Sequence, residues 1–395
     1  MSRQLFHVIG MTDEQTCSFS EEVLSIIRQG KAFSGGKRHY EIVSSLLPEE
    51  AVWINITVPL DAVFTQYEFF PEVIVFASGD PLFFGFAGTL QKRLPEVDIK
   101  VYPVFNSLQA LAHRILLPYQ DMLTISLTGR PWDELDAALI QGEKLIGVLT
   151  DRQKTPSRIA ERMLEYGYDN YQMIVGECLG NHQHEQVRIY SLSEVVEYNY
   201  TFPNCLILQR TSARPRPFGI PESEFSLLDG REKMITKMPI RLLALSLLDL
   251  HQKRSFWDIG FCTGSVSIEA KLQFPHLQVT SFECRKAALD LMQQNSRKFG
   301  TPGITAVIND FMEVDLSLYP APDAVFIGGH GGKLKEILER IDRILLPGGC
   351  IVFNSVSEQS LNLFKEGIER IDRRIEKQIC ITIESCNPIT IIKAL

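Results

Sequence analysis

Short apolar runs alternate with segments of helical periodicity along the N-terminal half of the chain. Val73–Ala77 and Leu145–Leu149 are apolar at almost every position, and Leu206–Gln209 has the same character near the end of this half. Runs of this length and composition are typical of strands that are buried on both faces of a sheet. Their alternation with helices predicts an α/β fold.

The C-terminal half shows the same alternation more clearly. Helices are predicted at Pro239–Leu250, Lys286–Phe299 and Lys333–Leu345, and a further helix begins near Ser265. Strands are predicted at Phe256–Ile259, Val279–Glu283, Ile304–Ile308, Ala324–Ile327, Cys350–Phe353, Ile381–Glu384 and Thr390–Lys393. This order predicts a doubly wound, Rossmann-like sheet. The last two strands form a predicted hairpin, which places an antiparallel strand at the sheet edge.

The segment Thr211–Glu224 separates the two halves. It contains Pro215, Pro217 and Pro221 and has no sustained periodicity, which is typical of a linker. A chain of 395 residues is long enough for two domains. We therefore predict one domain over residues 1–212 and a second over residues 213–395.

Composition and charge exclude several classes of protein. The net charge of −8 argues against a broad nucleic-acid surface, which normally requires a basic face. No apolar run is long enough for a signal peptide or a membrane span, so we expect no membrane partner. None of the eight cysteines forms a CxxC pair, which favours reduced thiols and a cytoplasmic location.

A glycine-containing turn in the C-terminal half carries the strongest local signal for a ligand. A predicted strand ends in an acidic residue and runs into a Gly-x-x-x-Gly turn that opens a helix. Glycines allow the backbone to approach a ligand closely, and the helix N-terminus supplies free amide donors. The residues predicted to contact a nucleotide-like cofactor in this turn are Asp258, Gly260, Thr263, Gly264 and Ser265.

Two further acidic residues follow at the ends of the next two predicted strands. Glu283 ends the second strand, where a carboxylate is placed to accept hydrogen bonds from two ribose hydroxyls. Asp310 follows the third strand, where a polar side chain is placed to reach the adenine amine. The ordered set of the turn, Glu283 and Asp310 predicts one cofactor site.

The two halves resemble two known families. From about Pro217 onward the chain resembles the decarboxylating carbon-15 methyltransferases of cobalamin biosynthesis, on FWDIGFCTGSVSIEA at 256–270 and PAPDAVFIGGHGG at 320–332. The N-terminal half resembles the tetrapyrrole methylases, specifically their carbon-5 precorrin branch. The residues that carry this second resemblance are Gly35–His39, Ala77–Pro81, Thr128–Pro131, Leu149–Asp151 with Thr155-Pro156, and Val175–Glu177.

The resemblances imply a two-lobed tetrapyrrole methylase fold followed by a class I methyltransferase fold. They also imply methylation of a small tetrapyrrole, a precorrin or its cobalt-containing equivalent, at carbons 5 and 15, with decarboxylation of an acetate side chain. S-adenosylmethionine is the implied methyl donor, with two sites per chain, and related domains self-associate, so a homo-oligomer is expected. In the N-terminal half the resemblance implies donor contacts at Gly10, Gly79, Asp80 and Ser107.

Because a precorrin carries many carboxylates, basic side chains near the two sites are candidates for its binding. We predict that Arg38, His39, Arg130 and Arg241 bind substrate. Lys237 and His330 are the candidate catalytic residues of the second site, since His330 lies in a glycine-rich loop after a strand. No metal site is predicted, because His182 and His184 have no suitably spaced Cys or acidic neighbours.

Two alternatives remain open. The resemblance implies a GxGPG-like turn after the first strand, but Gly10 is followed by Met11, Thr12 and Asp13. The N-terminal half is therefore alternatively a tetrapyrrole-binding module without catalytic activity. An RNA methyltransferase is the second alternative, and the acidic charge of the chain argues against it.

Overall fold

A computed structural model describes residues 3–12, 19–231, 233–383 and 388–395. The chain forms two compact units. Unit 1 contains Met1–Arg130, Lys144–Glu161 and Tyr171–Thr211, and unit 2 contains Pro131–Glu143, Arg162–Asn170 and Ser212–Leu395. Two segments before residue 212, Pro131–Glu143 and Arg162–Asn170, thus belong to unit 2. The prediction of a single boundary between residues 212 and 213 did not anticipate them.

Unit 1 contains two five-stranded sheets. In the first sheet all strand pairs are parallel, in the order β3-β2-β4-β1-β5. In the second sheet, ordered β6-β7-β10-β8-β9, only β6 and β7 pair in parallel. The strands are β1 Leu5–Met11, β2 Ala32–Gly35, β3 Val52–Asn55, β4 Glu72–Ser78, β5 Asp98–Tyr102, β6 Leu123–Ser126, β7 Leu145–Leu149, β8 Tyr171–Glu177, β9 Gln186–Ser191 and β10 Asn204–Arg210.

The predicted strands of this half are confirmed, with β4 and β10 each extending one or two residues beyond the apolar run. Val73–Ala77 is buried throughout, as expected for a strand with helices on both faces. The helices over these residues are α1 Glu21–Gln29, α2 Lys37–Val43, α3 Asp61–Tyr67, α4 Phe86–Arg93, α5 Ser107–Arg114, α6 Asp133–Gln141, α7 Pro156–Glu165 and α8 Leu192–Val196.

Unit 2 is built on a seven-stranded sheet with the order β13-β12-β11-β14-β15-β17-β16. Strands β11 to β15 are parallel, and β17 is antiparallel to both β15 and β16. The predicted doubly wound sheet with an antiparallel edge is therefore confirmed. The strands are β11 Ser255–Ile259, β12 Gln278–Glu283, β13 Ile304–Ile308, β14 Ala324–Ile327, β15 Cys350–Ser355, β16 Ile375–Ile381 and β17 Ile389–Ala394.

The helices of this sheet are α9 Met238–Leu248, α10 Ser265–Gln273, α11 Ala287–Phe299, α12 Leu334–Asp342 and α13 Glu358–Arg370. Helix α13 was absent from the prediction, although Leu361, Phe364 and Ile368 repeat at helical spacing and the latter two are buried. The first strand of the predicted hairpin was also placed too late, since β16 ends at Ile381. Its mixture of apolar and charged residues is typical of an edge strand and gives no continuous apolar run. The last predicted residue, Glu384, lies outside the described residues.

Strand β11 is buried because it lies in the interior of the sheet, between β12 and β14. Phe256 and Trp257 are both 0% exposed, and the Trp257 indole N–H donates to the Pro320 carbonyl at 3.0 Å. These anchors fix the carboxyl end of β11, where the glycine turn begins. In the ranges that the structure covers, no helix has the length and apolar character that would be needed to cross a membrane.

Candidate functional site

Unit 1 contains a partly open cavity of about 630 Å³. Its walls include residues at the carboxyl ends of β1, β4 and β7, such as Met11, Ser78 and Leu149. Ligands of open α/β sheets bind at this end of the strands. Of the residues predicted for this half, Arg38, His39, Gly79 and Ser107 line the cavity, whereas Gly10, Asp80 and Arg130 are not among the lining residues.

The cavity has the opposite charge to the chain as a whole. Lys37, Arg38 and Arg152 line it, and none of the described residues on its wall is an aspartate or glutamate. The complete chain carries a net charge of −8. A cationic cavity in an acidic protein concentrates positive potential locally, which favours an anionic ligand.

Gly10 and Asp80 shape the backbone beside this cavity. A Cβ atom at Gly10 would lie 2.3 Å from the Gly79 carbonyl oxygen, so only glycine fits there. Gly79 has a φ of +64°, and its N–H donates to the Met11 carbonyl at 2.7 Å. The Asp80 carboxylate accepts from the Leu82 N–H at 2.8 Å, which closes the turn that follows β4. The geometry therefore gives both residues a part in forming the loop.

Ser107 begins helix α5 at the cavity wall. Asn106 caps this helix, since its side chain accepts from the Gln109 N–H at 2.9 Å and its own N–H donates to the Gln109 side chain at 3.0 Å. The cap places the first turn of α5 against the cavity, where both Asn106 and Ser107 form part of the wall.

His39 and Arg38 meet the hydroxyl of Ser78. Nε2 of His39 lies 2.9 Å from Ser78 Oγ, and Nη2 of Arg38 lies 3.1 Å from the same oxygen. Burial, assisted by the neighbouring Arg38 charge, lowers the pKa of His39 from 6.5 to about 4. His39 is therefore neutral at physiological pH and takes part as a hydrogen-bonding group.

This lowered pKa makes a pH-dependent prediction. The folded protein binds the His39 proton more weakly than the unfolded chain, so its contribution to stability is complete above about pH 6.5 and decreases as the pH falls towards 4. In an NMR titration of the full chain, we expect the His39 ring signals to stay unchanged from pH 8 to pH 5. His39→Gln assigns the signals, and a His39 midpoint above pH 6 would contradict the prediction.

Two arginines cover phenylalanine rings at the cavity wall. The Arg130 guanidinium lies 5.0 Å from the centre of the Phe84 ring, and that of Arg152 lies 5.2 Å from the centre of the Phe202 ring. Both rings are more than 40% exposed and both line the cavity. Arg130 thus reaches the site through Phe84. Sequence reasoning missed Phe84, Arg152 and Phe202, although Arg152 follows the strand-end residue Asp151 that carried the resemblance.

In unit 2 the predicted glycine turn follows β11 and opens α10. Gly260 and Gly264 have φ angles of +79° and +76°. A Cβ atom at Gly260 would lie 2.6 Å from the Gly329 nitrogen, so the turn packs directly against the loop that carries His330. The structure therefore brings together the predicted turn and the predicted glycine-rich loop.

Two buried oxygens beside this turn have no hydrogen-bond partner in the described part of the chain. They are Oδ1 of Asp258 and Oγ1 of Thr263. The other Asp258 oxygen accepts from the Ser267 hydroxyl at 2.5 Å, and burial raises the pKa of Asp258 to about 7. Unpaired buried polar atoms are costly, and a polar ligand that reaches the turn would satisfy them. The turn thus fits a cofactor with several polar groups.

Glu283 lies at the end of β12, next to the same turn. Its carboxylate accepts from the N–H groups of Cys262, Cys284 and Arg285, at 3.1, 2.9 and 3.2 Å. These bonds fix the carboxylate, which is 4% exposed, in one orientation. The Cys284 thiol also donates to Oε1, at 3.3 Å, so three donors meet at that oxygen. Among the described residues, Oε2 accepts only from the Cys262 N–H and retains capacity for a hydroxyl donor.

The Asp310 side chain is 39% exposed. Its Oδ2 accepts from the Lys333 ammonium at 2.6 Å, and Oδ1 accepts from the Met312 N–H at 3.0 Å. The hydrogen bond from Lys333 lowers the pKa of Asp310. Asp310 is therefore an ionised acceptor just after β13.

His330 is a partly buried residue with a defined ring orientation. Its Nδ1 accepts from the Gly332 N–H at 3.2 Å, and its ring contacts the Phe353 ring edge-on, with centres 5.9 Å apart. Burial lowers the pKa of His330, so the ring is neutral and carries its proton on Nε2. Lys237 is partly buried at the start of α9, and no described hydrogen bond joins it to His330.

The predicted role of Arg241 in substrate binding requires a correction. Arg241 is 0% exposed and pairs with Glu269, also 0% exposed, at 3.2 Å. Its guanidinium also donates to the carbonyls of Thr236 and Ile220. Arg241 therefore holds the segment before α9 in place, and no surface of the side chain is left for a substrate.

Asn295 of α11, which the sequence did not indicate, is hydrogen-bonded to the glycine turn. Its side chain accepts from the Ser226 N–H at 2.7 Å and donates to the carbonyls of Ser226 and Thr263, at 3.1 and 2.9 Å. It is 0% exposed. A single amide thus connects the segment before α9 to the glycine turn.

Comparison with known proteins assigns each half of the chain to a family. Residues 6–196 match the family of Tetrapyrrole (Corrin/Porphyrin) Methylases, and residues 229–392 match the Precorrin methyltransferase domain. A decarboxylating cobalt-precorrin-6B C(15)-methyltransferase from Salmonella typhimurium is 40% identical over 135 residues, which are 34% of this chain and 69% of that relative. The chain belongs to the decarboxylating precorrin methyltransferase family.

Other members of this family extend the match across both halves. A decarboxylating precorrin-6Y C(5,15)-methyltransferase from Sinorhizobium sp is 29% identical over 353 residues, which are 89% of this chain and 84% of the relative. A solved precorrin-6Y C5,15-methyltransferase from Geobacter metallireducens GS-15 is 35% identical and covers 46% of this chain and 99% of that chain, with a TM-score of 0.43. The resemblances drawn from the sequence motifs are thereby confirmed, and S-adenosylmethionine is the methyl donor of the family.

Proposed function

We propose that this chain methylates a precorrin, or its cobalt-containing equivalent, at carbons 5 and 15 and decarboxylates an acetate side chain. The observation that carries the proposal is that one chain has two separate candidate sites, each with groups suited to the proposed ligands. Unit 1 has a cationic cavity on whose described wall there is no carboxylate, and unit 2 has a glycine turn with a fixed Glu283 carboxylate. Relatives with both activities in their names match 89% of the chain.

The proposal includes one S-adenosylmethionine site in each unit. In unit 2, Glu283 is proposed to accept from the ribose hydroxyls, Asp310 to accept from the adenine amine, and the Gly260–Gly264 turn to contact the methionine part. In unit 1, Gly79 and Ser107 are the proposed donor contacts. When bound, S-adenosylmethionine supplies an electrophilic methyl group whose sulfonium centre is its own activating group.

The contribution of the chain to methyl transfer is therefore mainly orientation of the two reactants and exclusion of water. Lys37, Arg38 and Arg152 are proposed to bind substrate carboxylates in unit 1, while Phe84 and Phe202 pack against the apolar macrocycle. Guanidinium groups suit this task because their donors match the geometry of a carboxylate. A meso carbon of an electron-rich tetrapyrrole needs no general base to attack a methyl group.

Decarboxylation is proposed to occur in unit 2, beside Lys237 and His330. The neutral His330 ring has its proton on Nε2, since Nδ1 accepts from Gly332. The Nε2 proton is proposed to be donated in a hydrogen bond to the substrate, and the Lys237 ammonium is proposed to orient the acetate carboxylate. The macrocycle accepts the electron pair that the departing carbon dioxide leaves behind.

The experiment that tests the proposal is incubation of the full chain with precorrin-6Y and S-adenosylmethionine, followed by mass spectrometry. We expect a product that has gained two methyl groups and lost one carbon dioxide. A product methylated only at carbon 15 would support the alternative in which unit 1 is a binding module. An unchanged tetrapyrrole, tested with and without cobalt, would contradict the proposal. Light scattering of the same preparation tests the predicted homo-oligomer.

A further inference from the structure

Ser78 occupies an unusual position in the cavity of unit 1. It is the last residue of β4, and its side chain forms part of the cavity wall. Its hydroxyl oxygen lies 2.9 Å from His39 Nε2 and 3.1 Å from Arg38 Nη2. Two nitrogen groups thus meet at one hydroxyl at the edge of a cavity that has no carboxylate on its described wall.

The direction of both hydrogen bonds follows from the surrounding contacts. The Gly36 N–H donates to Nδ1 of His39 at 3.2 Å, so that nitrogen carries a lone pair and no proton. The ring proton is therefore on Nε2, which donates to Ser78 Oγ. A guanidinium has donors and no acceptor, so Arg38 also donates to this oxygen. Ser78 accepts both bonds.

A hydroxyl has two acceptor positions and one proton to donate. Both acceptor positions of Ser78 are occupied by His39 and Arg38, so its own proton must point away from them. Within the described ranges, this proton has no protein acceptor. Donation from a cation and from an N–H polarises the hydroxyl and strengthens it as a donor. Ser78 therefore offers a directed hydrogen bond to whatever enters the cavity.

We propose that Ser78, together with Arg38, forms a carboxylate-binding subsite in the cavity of unit 1, and that His39 positions the Ser78 hydroxyl. The subsite presents a neutral donor beside a cation, with Lys37 and Arg152 on the same cavity wall. This arrangement suits an anionic oxygen acceptor. The proposal rests on the proposed function for the source of the carboxylate, which is either the methionine part of the methyl donor or an acid side chain of the tetrapyrrole.

Ser78→Ala in the full chain tests this subsite by titration calorimetry. S-adenosylhomocysteine and 5′-methylthioadenosine, which lacks the amino-acid carboxylate, form one pair of probes. Cobyrinic acid and its methyl ester form the other pair. We expect the variant to lose affinity on the order of 10- to 100-fold for the carboxylate member of one pair, because one charge-assisted hydrogen bond is lost. The carboxylate-free member of that pair should bind equally well to both proteins.

Several controls make the result specific. The S-adenosylhomocysteine site of unit 2 should keep its affinity, which shows that unit 2 is intact, and unchanged binding of the carboxylate-free probe shows that unit 1 is folded. Ser78→Thr should retain most of the affinity, and Ser45→Ala, at an exposed serine outside the cavity, should have no effect. Because His39 acts through Ser78, His39→Gln should weaken binding in the wild-type background and have no further effect in Ser78→Ala.

Two outcomes separate the subsite from the wider function. If the wild-type protein binds the probes in unit 1 and Ser78→Ala binds all four with unchanged affinity, the proposed subsite is wrong. The proposed function of unit 1 would not be affected by that result. Wild-type protein that binds one S-adenosylhomocysteine per chain and no cobyrinic acid would overturn both the subsite and the proposed function of unit 1.

Discussion

Replacing Glu283 with alanine is expected to reduce the number of S-adenosylhomocysteine molecules bound per chain from two to one. Glu283 is 4% exposed, and three backbone N–H groups fix its carboxylate beside the glycine turn. Loss of two ribose hydrogen bonds to a charged group weakens binding by roughly 100-fold or more, since each contributes about 1.5–3 kcal/mol. Titration calorimetry on the full chain measures both the number of sites and their affinities.

Matched variants show whether this effect is specific. Glu283→Gln keeps the size of the side chain and one acceptor oxygen, so we expect it to weaken the unit 2 site less than alanine does. Glu369→Ala, at an exposed acidic residue of α13, should leave both sites intact. In activity assays, Glu283→Ala should lose carbon-15 methylation and retain carbon-5 methylation. If Glu283→Ala still binds two S-adenosylhomocysteine molecules per chain with unchanged affinity, Glu283 does not contribute to the proposed cofactor site.

Replacing Arg241 with leucine is expected to destabilise unit 2 by about 3–5 kcal/mol, the range found when one partner of a buried ion pair is removed. Arg241 and Glu269 are both fully buried, so the variant leaves the Glu269 carboxylate without its cation. It also removes the donors to the carbonyls of Thr236 and Ile220. Chemical denaturation, followed by tryptophan fluorescence, measures the loss in the free energy of unfolding.

The double variant Arg241→Leu, Glu269→Leu separates the ion pair from packing. Removing both charges should recover part of the lost stability, because no uncompensated charge remains. Recovery is expected to be incomplete, since the Glu269 carboxylate also accepts from the N–H groups of Gly219 and Ile220, at 2.8 and 3.1 Å. Arg343→Ala, at an exposed arginine, should have little effect. A loss below about 1 kcal/mol in Arg241→Leu would contradict a structural role for the pair.

The sequence pattern predicted the local structure of the glycine turn in unit 2 almost residue by residue. Strand β11 ends at Ile259 and strand β12 ends at Glu283, as predicted. Helix α10 begins at the predicted Ser265. This succeeded because each signal is local: a buried strand, a glycine with positive φ and a helix start follow one another without a long connection. Helix α13 was equally local, and its periodic Leu361, Phe364 and Ile368 were sufficient to find it.

The residues that sequence reasoning misplaced depend on partners far away in the chain. Arg241 was assigned to substrate because its charge is visible in the sequence, but its partner Glu269 lies 28 residues further on. Asn295 gave no signal, because its contacts with Ser226 and Thr263 exist only in the folded unit. The pairing of Phe84 with Arg130 and of Phe202 with Arg152 is likewise long-range.

The sequence by itself determined the α/β class of both halves, the antiparallel edge of the second sheet, the glycine turn after β11 and the family. These follow from periodicity and from motifs of neighbouring residues. Only the tertiary structure decided which charges face a ligand and which are buried. Burial and partner distance set the pKa of His39, the pairing of Arg241 and the direction of the Ser78 hydroxyl. These properties depend on groups that folding brings together from distant positions in the chain.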